Sequence, residues 1–253
     1  MRSSFDSDGD TKTMKIEDIE YSVGGTLYRG QLAVDESRSG KRPGILVAPE
    51  APGLGDHVKK IIRRLADAGY VAFGMDYHGD GKVFTEMGEV MAKIGVFMED
   101  PQKIRVIAAE ALKVLAAQPQ TDPSKLAATG YCFGGTTALE LARSGADIKA
   151  AVGFHSGLGT VRPQDAANIK AKVLALVGTA DPIVPPDARL AFEKEMNEGK
   201  VDWRLNLYGG KGHSFSNPDV DAMNMPGFAY DAVTDKRAWD AMLDLFDEVF
   251  GPV

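Results

Sequence analysis

The chain alternates short, uninterrupted apolar runs with stretches of helical periodicity, and that alternation restricts it to one class of fold. The runs are residues 43–48, 70–75, 125–129, 149–154 and 172–177. Each is too short for a helix and lacks the in-out rhythm of a half-wet strand, so each reads as a strand covered on both sides. Helical patterns fall at 56–68, 86–98, 102–117, 135–144 and 186–197, followed by a last strand at 202–208 and an amphipathic helix at 234–250. Residues 16–23 and 26–34 read as an antiparallel hairpin turned at Gly24-Gly25. Asp56 is the expected N-cap of the first helix, and Gly69 its stop. The prediction is an α/β fold: a mostly parallel, twisted sheet of about eight strands, helices on both faces, an N-terminal antiparallel hairpin and no large lid domain. No repeat, low-complexity tract or linker interrupts it, so residues 14–253 read as one domain. The polar residues 1–13 read as a disordered extension, with Met14 available as an alternative start.

One pentapeptide stands at the end of a strand and the start of a helix: Gly130-Tyr131-Cys132-Phe133-Gly134. A Gly-x-nucleophile-x-Gly turn in that context holds a side chain at a strained corner above a sheet. The glycines are needed where a Cβ would strike the neighbouring strand and helix. The nucleophile position carries the only cysteine of the chain. A lone cysteine is by itself more often a small buried hydrophobe, so its partners decide the matter.

A thiol nucleophile needs a base, and the base needs a third group to orient it. The chain has four histidines, His57, His78, His155 and His213. His213 lies in a Gly-rich loop directly after the strand 202–208, and Asp181 directly after the strand 172–177. The order nucleophile, acid, histidine is that of α/β-hydrolases, and differs from the chymotrypsin and subtilisin orders. His155 also ends a strand and is the rival base; His78 ends another, and both are candidates to line the pocket and bind substrate. His57, near a helix start, reads as structural or exposed. Two N–H donors are expected to hold the oxyanion: that of Phe133, at a helix N-terminus, and that of Ala51, in the loop after the strand 43–48. Glu50, a carboxylate at the end of a buried strand, is expected beside the nucleophile.

The net charge of −7 disfavours nucleic-acid binding, which wants clustered Lys and Arg. The one basic cluster, Lys59-Lys60 with Arg63-Arg64, reads as the solvated face of a helix. A single cysteine permits no intrachain disulfide, no Cys/His cluster marks a structural metal, and no run reaches the length of a membrane span. The expectation is a soluble cytoplasmic protein, monomer or homodimer, acting on a small molecule without metal or cofactor.

These residues together resemble the dienelactone hydrolase family of the α/β-hydrolase superfamily. The matching segments are residues 44–50, Gly69-Tyr70, Gly130 to Gly135, Gly178-Thr179-Ala180-Asp181-Pro182, His213-Ser214-Phe215 and Arg237-Ala238-Trp239. The resemblance implies a lactone or ester hydrolase that works through an acyl-thioester on Cys132, with His213 as base and Asp181 orienting it. It also implies that Glu50 holds the thiol at rest until substrate displaces it. Members that take dienelactone grip its carboxylate with arginines after the strand ending here at Asp76 and just past the His-Ser-Phe. Here those regions read Tyr77-His78-Gly79-Asp80-Gly81-Lys82 and Ser216-Asn217-Pro218-Asp219, without arginine. Lys82 and His78 are the substitutes the sequence offers, although Lys gives no bidentate grip, and Tyr77 beside them is a further candidate to bind substrate. The same machinery would serve a thioesterase or general carboxylesterase. The reading from another class is a redox-sensing or non-catalytic protein, against which the chain offers no resolving cysteine.

Overall fold

A computed structural model describes residues 13–253. Apart from Thr13, the expected N-terminal extension lies outside the described residues. The elements are β1 (Met14–Val23), β2 (Thr26–Asp35), β3 (Arg42–Ala48), α1 (Asp56–Asp67), β4 (Val71–Gly74), α2 (Met87–Glu99), α3 (Pro101–Ala116), β5 (Thr121–Tyr131), α4 (Phe133–Arg143), β6 (Ala150–Phe154), β7 (Lys172–Gly178), α5 (Pro186–Glu198), β8 (Trp203–Tyr208) and α6 (Ala232–Phe250). Eight strands form one sheet in the order β1-β2-β4-β3-β5-β6-β7-β8. The hairpin pairs antiparallel with itself and with β4, and the remaining neighbours are parallel.

The period of two in each strand divides the core. Along β3, Leu46 and Ala48 face a cluster that includes Ile104 and Ala108 of α3, Leu139 of α4 and Phe192 of α5. Ile45 and Val47 face the opposite cluster, with Ile61, Ile62 and Leu65 of α1 and Trp239, Met242 and Phe246 of α6. Both faces are covered, which is why β3 and β4 read as unbroken apolar runs. Arg64, in the expected basic cluster, lays its guanidinium over Trp239 at 3.7 Å from the ring centroid, joining α1 to α6.

Three boundaries differ from the sequence reading. Gly55, not Asp56, caps α1, and Asp56 is its first residue. Strand β5 starts at Thr121, earlier than its apolar run, because Arg42 and Pro43 pair with Thr121 and Asp122 before a register shift at Pro43/Gly44. Helix α4 starts at Phe133, so Gly134 and Gly135 lie inside its first turn. Among the described residues no helix is long and apolar enough to cross a membrane.

Candidate active site

The carboxyl ends of β3, β5, β7 and β8 converge on one cavity of about 910 Å³. Such sheet edges are where doubly wound folds keep their sites. Cys132, the N-cap of α4, opens onto it with φ 55° and ψ −121°, a conformation sparsely allowed for a residue with a side chain. The turn is tight because its neighbours have no side chains. A Cβ on Gly130 would lie 2.1 Å from the Gly134 carbonyl oxygen, and one on Gly134 would lie 2.1 Å from that of Ala48. The first turn of α4 thus sits directly against the end of β3.

His213 and Asp181 come from the loops after β8 and β7. Nδ1 of His213 lies 2.8 Å from Oδ2 of Asp181, and both residues are buried. Burial by itself would lower the His213 pKa; the hydrogen bond to the Asp181 carboxylate and the neighbouring Cys132 outweigh it and raise the pKa to about 9. Nε2 is buried with no completed hydrogen bond, although Cys132 stands next to it as the second group that raises the pKa. Cys132 and His213 share the cavity wall. The arrangement can hold an imidazolium between two anions, or pass one proton between sulfur, imidazole and a bound substrate.

Glu50 is also on the wall. Its carboxylate accepts from Asn217 Nδ2 at 3.0 and 3.2 Å and lies 3.3 Å from Nδ1 of His57. The sequence reading gave no role to Asn217 and placed His57 as structural or exposed. His57 is buried in the first turn of α1, and its Nε2 meets the Ser216 carbonyl at 3.2 Å. The available signal was position: His57 follows the Glu50 loop within one helical turn, and Asn217 follows His213 by four residues.

The loop carrying Ala51 is held from behind. The Tyr77 hydroxyl donates to the Glu50 carbonyl, and His78 Nε2 lies 2.9 Å from the Ala51 carbonyl. A trans peptide points its N–H away from its C=O, so fixing the Glu50 carbonyl fixes the Ala51 N–H on the opposite side. The Phe133 and Ala51 amides donate to no group among the described residues, and both residues line the cavity. Asp76 fastens the loop that presents Tyr77 and His78. Its carboxylate accepts from four backbone N–H groups, those of Arg29, His78, Gly79 and Gly81.

Four residues expected to bind substrate are off the cavity wall. Tyr77 is buried under the Glu50 loop, and burial pushes its phenol well above the usual range. His78 packs between Tyr77 and Phe84, with burial lowering its pKa, so at neutral pH it is an uncharged donor to Ala51. Lys82 points outward to Asp80. His155 is fully buried: its Nδ1 accepts from the Cys132 backbone N–H at 3.2 Å, and its Nε2 lies 2.8 Å from the Ser216 hydroxyl. Burial, then the nearby His213 and His57, push its pKa well below the ordinary value. With its one lone pair already engaged, His155 is not a free base; it supports the elbow.

Comparison with known proteins places the chain in a family. The model of the dienelactone hydrolase family matches residues 29–250. A solved structure called m3DLH is 46% identical, covers 94% of this chain and 99% of its own, and superposes with a TM-score of 0.91. A dienelactone hydrolase-like promiscuous phosphotriesterase from metagenomic libraries is 42% identical over 94% of this chain and 99% of its own, with a TM-score of 0.89. A probable 2-oxo-3-(5-oxofuran-2-ylidene)propanoate lactonase from Bradyrhizobium sp is 28% identical over 92% of this chain and 94% of its own length.

Proposed function

This chain belongs to the dienelactone hydrolase family, a family of hydrolases acting on lactone and ester bonds, and on that premise we propose that Cys132, His213 and Asp181 are its catalytic triad. The observation that carries the reading is the 2.8 Å His213–Asp181 contact sharing one cavity with a cysteine on a strained elbow. The thiolate of Cys132 attacks the ester carbonyl carbon, and the π pair moves onto oxygen. Free N–H groups of Phe133 and Ala51 receive that oxyanion, aided by the α4 N-terminus. Collapse breaks the C–O bond, and the departing alkoxide takes the proton of the His213 imidazolium. Neutral His213 then takes a proton from water, whose oxygen attacks the thioester and expels the thiolate. Glu50 is the control element. With its carboxylate on Asn217 and beside His57, it leaves Cys132 to His213; turned toward the sulfur, it would hold the thiol at rest.

Initial rates on p-nitrophenyl acetate, p-nitrophenyl butyrate and dienelactone test the assignment. Cys132→Ala, folded as the wild type, is expected to lose at least about 10³-fold in kcat/KM. An alanine variant as active as the wild type would sink it. The identity to the phosphotriesterase favours a second, slower activity on neutral phosphotriesters in the same cavity. Paraoxon in the same panel reads it.

A further inference from the structure

The cavity wall has a one-sided chemistry. Five of the ten methionines of the chain line it, Met87, Met91 and Met98 from α2 and Met223 and Met225 from the loop after β8. Methionine side chains are flexible and polarizable, and they suit a surface that repacks around ligands of different shape. No Lys or Arg lies among the described lining residues, while Glu50, Glu140 and Asp219 do. Four of the basic groups near the wall have carboxylate partners. Arg105 and Arg143 engage the two oxygens of Glu140, Lys60 pairs with Asp219, and Arg162 with Asp165. The one cationic centre inside, His213, is already opposed by Asp181.

We infer that the substrates are bulky, uncharged apolar esters of variable shape, and that the cavity turns away esters bearing a carboxylate. This rests on the ester-hydrolase reading of the same cavity. A carboxylate entering here would lose its water, find no unopposed cation among the described lining residues and face the charge of Glu50. An alkyl chain would instead be covered by Val90, Ile94, Phe97 and the methionines. Its length would raise the rate while room remains in the 910 Å³ cavity.

The test compares p-nitrophenyl pentanoate with the mono-p-nitrophenyl ester of glutaric acid, which differs by a terminal carboxylate. The pentanoate is expected to have at least about a 10-fold higher kcat/KM. From acetate to octanoate each added methylene is expected to gain up to about fourfold before the cavity fills. In Met223→Lys, which puts a cation at the cavity rim, the glutarate ester is expected to gain at least about threefold relative to the pentanoate. Equal rates for the matched pair, a preference for the charged ester, or acetate as the best acyl group would overturn the inference and leave the triad assignment standing. Calorimetry of both esters on Cys132→Ala reads the same preference as binding. Tighter pentanoate binding supports the inference, and equal or tighter glutarate-ester binding overturns it; should the alanine variant prove as active as the wild type, the matched pair of wild-type rates reads the preference without the triad assignment.

Discussion

At the scale of single residues, the identity of a side chain told less than its neighbours do. Cys132, Asp181 and His213 could be picked as candidates from the sequence because each follows an expected strand, where the strand ends and a loop begins. His57 and Asn217 could not, because a histidine in an amphipathic helix and an asparagine in a loop carry no local mark of the carboxylate they face. The His213–Asp181 bond makes a definite pH prediction. A pKa raised to about 9, above the ordinary value of ~6.5, means the folded state favours imidazolium. That contribution to stability is fully present below about pH 6.5 and lost as pH rises through about 9. In Asp181→Asn the lowering effect of burial remains and only Cys132 opposes it, so the His213 pKa should fall below 9. NMR titration of the ring nitrogens measures it, and a pKa still near 9 in the variant would show that Asp181 is not the cause.

At the scale of elements, the proposed oxyanion donors are set where two loops meet the start of a helix. The loop after β3 brings Ala51, the loop after β4 brings Tyr77 and His78, and the start of α4 brings Phe133. Tyr77 also packs edge-on against Phe133, with ring centroids 5.5 Å apart, so one phenol touches both elements that carry the proposed oxyanion donors. The sequence suggested Tyr77 as a substrate contact because it sits where a ligand-gripping residue would. The structure turns the ring under the loop instead, where its hydroxyl meets a main-chain carbonyl. On the proposed mechanism Tyr77 acts as a positioning residue. Tyr77→Phe keeps the ring and removes the hold on the Glu50 peptide, so kcat should drop about tenfold, less than for deleting a donor outright. KM should stay within about twofold, since the donor acts on charge that develops in the transition state. Steady-state kinetics separate the two, and a rise in KM at constant kcat would return Tyr77 to substrate binding.

At the scale of the whole molecule, a buried ionic network ties the cavity floor to the outer helices. Arg143 is completely buried and bonds Glu140 of its own helix, both oxygens of Glu195 on α5, and the Leu158 carbonyl after β6. Arg105 of α3 joins Glu140 to Asp165. Burial pushes the Glu195 carboxyl up, and the Arg143 guanidinium pulls against that rise. Arg143→Met should therefore cost about 3–5 kcal/mol, because it strands the buried Glu195 carboxylate and leaves Glu140 with Arg105 alone. Chemical denaturation reads the loss, and a change below about 1 kcal/mol would show that water or a rearrangement replaces the arginine.

What the sequence determined by itself is periodic or adjacent along the chain. Doubly covered strands, their alternation with helices and the glycine-bracketed elbow all follow from local patterns of apolar and small residues. Only the tertiary structure decided what depends on long-range approach. It set Glu50 on Asn217 and His57, engaged His155 with the Cys132 backbone and kept it off the wall, and left the cavity lined with methionine and carboxylate but no described Lys or Arg. The reason is physical. A strand or helix is selected by the burial of residues a few positions apart, whereas a polar side chain near a sheet end takes whichever partner the folded loops bring within hydrogen-bond reach.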